Sequence, residues 1–526
     1  MGRVAVWRSS LVVLGLAAAV LLPAPARADD PPASWSYDRP AQYEAVKTPV
    51  LAPTRETGVL LGCDLYRPGL GGQPVPGRFP GIVAEFTPYF ALRAAGLFDP
   101  QAGYLAAHGY NVVVCNVRGT GDSGGVWTQA SSPEEARDNY DLVEWLAAQP
   151  WSDGRVGQEG FSYGGFTTYR VAALRPPHLV AIAPQQSQSN LYLDDPYKGG
   201  IWSNSQWPVI ASALSGGRVN AAAEIALWRS HPTLDAFWKQ IAISTKFRDI
   251  RVPVLAIGGW DDMFFRAAMV ENYRGLRSQT WIAYGPWPHT NAYAFPGCGS
   301  GCAPDTAPVP PGALLAWWDR WLKRLAAPLP STRFVSYENP VGAGRGWEQL
   351  RDWPPPDVSS MRLNLTSDGG LQRAAARTGS ASFSQPGSPA LPGNSLSFTT
   401  APFTGDRVLA GSVRLQLRAT LTAADANFHV QLHDVAPDGS STLVNDGYLR
   451  ASHRLSHEQP SPVVPGQPTS FAVDVWPDHW RFVEGHRLRL TVSGGDPAAL
   501  EPPPAPVTVS VATGEQGSYA NVPFRR

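Results

Sequence analysis

Short apolar runs bounded by Gly or Pro recur through the first part of the chain. Ile82–Phe86, Asn111–Val117, Val180–Ala183, Val254–Ile257 and Thr280–Tyr284 are mostly apolar throughout their length. That is the pattern of strands covered on both faces in a parallel sheet. Helical patterns lie between them. Ser132-Pro133-Glu134-Glu135 forms a capping box with Pro at the first helical position, and Ala136, Tyr140, Val143 and Leu146 continue at helical spacing. Strands alternating with helices predict a doubly wound α/β domain. The rhythm breaks between Asn190 and Lys246, a Trp- and Ala-rich stretch with helices expected over Asn220–Arg229 and Pro232–Ile241. It reads as a helical cap inserted between two core strands. After Leu325 the period changes to two: Val413–Leu417, Phe428–Leu432, Phe471–Val475 and Leu488–Val492 are separated by Gly, Pro and Asp turns, the pattern of an all-β sandwich or jelly roll. Trp353–Pro356 and Thr378–Gly393 read as loops. No internal repeat is visible.

Composition narrows the classes further. With 526 residues, 43% hydrophobic and 10% aromatic, the chain is globular and long enough for two or three cores. Lys+Arg and Asp+Glu are each 43, so no net charge points to nucleic acid. Arg3 and Arg8, the apolar run Leu11 to Leu22, and Ala26-Arg27-Ala28 before Asp29 read as a secretory leader, too short to span a membrane. Export, with no membrane attachment afterwards, makes disulfides plausible among the four cysteines. Cys298 and Cys302 frame a short Gly-Ser-Gly loop suited to a local bridge. Cys63 and Cys115 lie in two different strand-like runs, and the sequence leaves open whether they pair or stay as buried thiols.

Gly-x-Ser-x-Gly occurs twice. Gly160-Phe161-Ser162-Tyr163-Gly164 follows a short strand, Arg155–Gln158, and runs into a helix expected over Thr167–Leu174. That is the strand–turn–helix setting of a nucleophile elbow. Gly121-Asp122-Ser123-Gly124-Gly125 is followed by loop residues and reads as a structural turn. A serine hydroxyl needs a base. Of ten His, six lie in the β-rich part. His108, His178 and His231 occupy turns or surface connections. His289 sits in Gly285-Pro286-Trp287-Pro288-His289, a proline-stiffened loop directly after a strand. Asp261 and Asp262 end the strand Val254–Ile257, where catalytic groups gather in such sheets. The chain order Ser162, Asp262, His289 is that of α/β-hydrolases.

At these residues the sequence resembles the cocaine esterase / α-amino-acid ester hydrolase / Xaa-Pro dipeptidyl-peptidase (CocE/NonD) family of serine hydrolases. Gly58 through Pro68 is similar to the family's opening hairpin. Arg118-Gly119-Thr120-Gly121-Asp122-Ser123-Gly124-Gly125 matches a loop that does not hold the nucleophile. Gly259-Trp260-Asp261-Asp262-Met263-Phe264 resembles the acid motif and selects Asp262 over Asp261. Trp318-Asp319-Arg320-Trp321-Leu322-Lys323 resembles the last helix of the hydrolase domain. Asp434–Gly439 and Leu449–Arg454 resemble the family's C-terminal jelly roll. The resemblance also implies an oxyanion hole made by the Tyr89 side chain, in Thr87-Pro88-Tyr89, and the backbone N–H of Tyr163.

The expected architecture is an α/β-hydrolase core (29–329) with a helical cap at about 190–247, followed by an all-β jelly roll (330–526), after a leader of residues 1–28. The expected activity is that of a secreted serine hydrolase acting on small esters, amides or short peptides, with no metal or organic cofactor. Candidate substrate-binding residues are Phe90, Trp202, Trp260, Phe264, Asp194 and Asp195. Phe264 and Phe265 stand where amine-binding relatives keep carboxylates, and Trp207, Phe237 and Trp238 add further cap aromatics, so a largely neutral acyl pocket is expected. Two other readings stay open: an Xaa-Pro dipeptidyl-peptidase, and a carbohydrate-binding protein on an inactive hydrolase domain. The oligomeric state is not legible.

Overall fold

The computed structural model describes residues 31–205, 214, 218–276, 280–298, 306–374, 377–388 and 393–526. The leader, Trp207 and Cys302 lie outside these residues. The first domain is built on an 11-stranded sheet. Along one path its order is Glu44–Pro53, Leu60–Leu70, Asn111–Asn116, Phe79–Thr87, Ser152–Phe161, Leu179–Gln185, Val254–Gly259, Thr280–Gly285, Phe334–Glu338 and Gly346–Leu350. The central strands from Asn111–Asn116 to Phe334–Glu338 run parallel, with antiparallel pairs at both edges. Each predicted core strand is present. Val112, Val113 and Val114 are fully buried, as a sheet with helices on both faces requires.

Ser132 caps the helix as expected, while the Glu135 carboxylate turns to the Tyr163 hydroxyl. Ser132 accepts from the Glu135 N–H at 3.1 Å, and the helix runs Pro133–Ala147. In the cap, Asn220 starts the helix Ala221–Arg229 by accepting from Ala223 N–H. The second cap helix begins at Ala236 rather than Pro232, because Asp235 caps it through the Phe237 N–H. The sheet does not stop at residue 329: Phe334–Glu338 and Gly346–Leu350 extend it before the chain leaves for the second domain.

The second domain is all-β, with a nine-stranded and a four-stranded antiparallel sheet. Alternation sets its core: along Arg414–Leu421, Leu415, Leu417, Ala419 and Leu421 are buried while Arg414 and Arg418 are exposed. The Ser/Gly-rich stretch expected to be a loop holds a strand, Gly379–Gln385, paired with Val507–Thr513. Ser380, Ser382 and Ser384 face outward, and Phe383 is its one large apolar residue, buried on the inner face. Cys63 and Cys115 face each other across antiparallel neighbours and form a disulfide. The expected Cys298–Cys302 bridge falls partly outside the described residues. At the junction of the two domains Glu338, Glu348 and His479 come together, with Arg481 and Arg525 paired to the two carboxylates.

Candidate active site

Four loops converge at the carboxyl ends of the parallel strands, where such sheets present their chemistry. Ser162 follows Ser152–Phe161 and precedes the helix Tyr163–Leu174. Its backbone is held at φ 58° and ψ −116°, a left-handed conformation strained for any residue but glycine. The flanking glycines are obligatory for packing reasons. A Cβ on Gly160 would collide with the Gly164 backbone, and one on Gly164 would overlap the Glu85 carboxylate. Glu85 Oε2 in turn accepts from the Phe161 N–H at 3.0 Å, so a buried carboxyl group lies against the elbow.

The three residues expected to act together meet. His289 Nε2 is 2.9 Å from Ser162 Oγ, and His289 Nδ1 is 3.1 Å from Asp262 Oδ2. Asp262 Oδ1 accepts from the N–H groups of Phe264 at 2.8 Å and Phe265 at 3.2 Å. Burial alone would push the Asp262 carboxyl up. His289 and these two N–H groups outweigh it and hold the group below the usual carboxylate range. Phe161, Phe264 and Phe265 enclose the imidazole, with ring centres 4.7, 4.9 and 5.3 Å from it.

Tyr89 ends the loop after Phe79–Thr87, and its ring packs on Tyr163 at 6.0 Å. Burial raises its phenol well above the ordinary range, opposed by a hydrogen bond with the Ser162 side chain. The Tyr163 N–H is in the first helical turn, where a backbone donor has no partner within the helix. The Tyr163 hydroxyl is anchored elsewhere: it donates to Glu135 at 2.7 Å and accepts from the Ser131 N–H at 2.7 Å. Ser123 is fully buried, donates to the Asn116 carbonyl and accepts from the Gly62 N–H, which fixes it as a turn residue.

Over Ser162 lies a cavity of about 210 Å³. Phe264 and Asp195 line it, as do Leu92, Leu97, Leu191, Phe265, Gln188 and Glu85. Trp228 lines it too, although nothing in its sequence context distinguished it from the other cap tryptophans. Four expected pocket residues do not line it. Phe90 turns toward Gly121 and Arg93. Trp202 packs beneath Arg229 and against Tyr197. Trp260 is fully buried, stacked on Tyr284 at 3.9 Å with its indole N–H on the Tyr337 carbonyl. Asp194 folds back to accept from the N–H groups of Ser189 and Asn190 at 2.7 Å each. Phe237 and Trp238 belong to the cap's own packing, with ring centres 4.8 Å apart.

Two carboxyl groups remain in the wall. Burial raises Asp195 to about 7, with Lys198 and His289 opposing, and its Oδ1 has no hydrogen-bond partner. Burial also raises Glu85 well above the carboxylate range, helped by Glu159 and opposed by the Phe161 N–H.

A parallel sheet carrying a strained serine elbow, with histidine and aspartate delivered by later strands, defines a serine hydrolase of the α/β-hydrolase class. The comparisons with known proteins agree. Residues 57–291 match the X-Pro dipeptidyl-peptidase (S15 family) model and residues 331–520 the X-Pro dipeptidyl-peptidase C-terminal non-catalytic domain. Cocaine esterase of Rhodococcus sp. is 24% identical over 537 residues, covering 86% of this chain and 91% of that protein. Among solved structures, a CocE/NonD family hydrolase from Staphylococcus aureus superposes with a TM-score of 0.76 at 20% identity, covering 90% of this chain and 93% of that one. An aminopeptidase from a marine sediment Thaumarchaeota archaeon gives 0.78 at 20% identity, covering 93% and 98%. The chain thus carries an S15-type serine hydrolase domain followed by the C-terminal domain that goes with it, and it is similar to the CocE/NonD hydrolases.

Proposed function

We propose that this protein is a secreted serine esterase that cleaves small, uncharged acyl esters through an acyl-enzyme. Ser162 Oγ attacks the ester carbonyl while His289 Nε2 takes its proton and passes it to the departing alkoxide. Asp262 keeps the imidazole in the tautomer that leaves Nε2 free to accept, and stabilises the imidazolium. The Tyr89 hydroxyl and the Tyr163 N–H donate to the oxyanion. Water then repeats the sequence on the acyl-enzyme and releases the acid. The ester preference is carried by the cavity wall, where Phe264, Phe265, Trp228 and four leucines surround the serine. Such a wall stabilises an apolar acyl group, and because burial pushes its two carboxyl groups toward the neutral form it compensates a desolvated ammonium poorly. At about 210 Å³ the space suits a small acyl chain.

A second reading, that of an Xaa-Pro dipeptidyl-peptidase, is favoured by one observation: the unpartnered Oδ1 of Asp195 in the same wall. The two are separated by kcat/KM for a p-nitrophenyl ester against Ala-Pro-p-nitroanilide. The ester is expected to win at neutral pH. If the anilide wins, the esterase reading fails. In that case the anilide-to-ester ratio should rise with pH through about 7 as Asp195 ionises, and Asp195→Asn should abolish that rise.

Export belongs to the same proposal. It is supported by the Arg3/Arg8 and Leu11–Leu22 pattern and by the Cys63–Cys115 disulfide, a bond typical of oxidising compartments. Protein recovered from the culture medium should begin near Asp29. Cell-retained protein with residues 1–28 still attached would reject export.

A further inference from the structure

Parts of the chain distant in sequence meet behind the loop that carries Asp262. The cap hairpin Tyr197–Lys198/Ile201–Trp202 turns at Gly199 and Gly200, with φ of 57° and 87°. A side chain at Gly199 would run into the Tyr448 carbonyl, and the Arg450 N–H donates to the Gly199 carbonyl at 2.8 Å. This close seat buries Lys198 against the second domain. Its Nζ lies 4.6 Å from the centre of the Trp476 ring and donates to the Met263 carbonyl at 3.0 Å. Arg266 makes the companion grip. Its Nε donates to the Asp262 carbonyl at 3.0 Å and its Nη1 to Asn445 Oδ1 at 2.7 Å, and its guanidinium lies 5.8 Å from the Trp476 ring.

The carbonyl of Met263 and the N–H of Phe264 are two ends of one peptide group. One end accepts from the Lys198 ammonium, and the other donates to Asp262 Oδ1 at 2.8 Å. A charge-assisted bond at the carbonyl polarises the whole peptide and strengthens the bond at its N–H. The sequence of contacts is therefore Trp476, Lys198, the 263–264 peptide, Asp262, His289 and Ser162.

We infer that Lys198 and Arg266, braced on Trp476 and Asn445 of the C-terminal domain, are positioning residues that fix the Asp262 loop. The second domain thus takes part in catalysis without touching substrate, although its family model is described as non-catalytic. Asp195, Asp446, Arg266 and Asp262 are the charged groups acting on Lys198. Burial brings the ammonium down to about 8, with Asp446 and Asp195 opposing, so the grip is charged at neutral pH.

The inference rests on Asp262 being the triad acid, and the test separates the two claims. In the full-length protein, Lys198→Met is expected to lower kcat for a p-nitrophenyl ester about tenfold, to slow fluorophosphonate labelling in step and to leave KM within about twofold. Lys198→Arg, which keeps a cation on Trp476, is expected to recover most of the loss. Arg266→Gln should show the same split between kcat and KM, and serves if Lys198→Met does not fold. Asp262→Asn is the control. If it abolishes turnover while folded Lys198→Met and Arg266→Gln turn over at the wild-type rate, the positioning role is wrong and the triad stands. If Asp262→Asn keeps wild-type turnover, the triad assignment itself fails.

Discussion

Ser162→Ala is expected to abolish fluorophosphonate labelling and to lower kcat by about 10⁶, the loss typical of removing a triad nucleophile. The expectation follows from geometry. Ser162 Oγ is the hydroxyl held 2.9 Å from His289 Nε2, at the apex of an elbow whose backbone is strained to expose it. Oxyanion donors and binding survive in the variant, so a residue of catalysis over water should persist. The informative control is Ser123→Ala, at the other Gly-x-Ser-x-Gly match. Its hydroxyl joins the Gly62 N–H to the Asn116 carbonyl. Loss of that bridge should cost about 1–3 kcal/mol of stability and leave labelling intact. Labelling that survives in Ser162→Ala would overturn the assignment.

Tyr89→Phe is expected to cut kcat by about 10²–10³ with little change in KM, because one oxyanion donor is lost and its bond strengthens only as charge develops on the carbonyl oxygen. The substitution keeps the ring that packs on Tyr163, so folding should be preserved. The buried phenol stays protonated far into the alkaline range and can donate at every working pH. Thermal unfolding and ester turnover measured on the same preparation separate the two roles. An unchanged kcat would leave Tyr89 as a packing residue.

The parts of the site written locally were legible, and the parts assembled by packing were not. The elbow glycines, the Pro-stiffened loop before His289 and the strand end before Asp262 each carry their signal within a few residues, and their chain order supplied the rest. The pocket aromatics had no such signal. Nothing in the residues around Trp202, Trp260 and Trp228 tells which of them faces the cavity, yet of the three only Trp228 lines it, because orientation is set by packing. Glu85 was unreadable for a related reason. A carboxylate inside an apolar strand looks like a register flaw until the elbow backbone lies against it. Lys198 and Arg266 carry no local signal, and only the second domain gives them a face to press on. Among elements, the strand Gly379–Gln385 was missed because its Ser, Gly and Ala residues read as a linker, while the helix at Ala236 was placed early because Pro232 is as good a start signal as Asp235.

The Cys63–Cys115 bridge has a consequence for how samples of this protein compare. Both residues are almost fully buried, at 1% and 0% exposure, between two paired strands of the main sheet. Thiol–disulfide exchange requires a thiolate to reach a sulfur, and here the sheet must open first. The oxidation state is thus sealed when the chain folds. It afterwards records the conditions of folding and is indifferent to the buffer in which the protein is kept. Oxidised and reduced molecules of one sequence would persist side by side as populations that interconvert only when the sheet opens, and a mixed preparation would melt in two steps, each belonging to a different folding history.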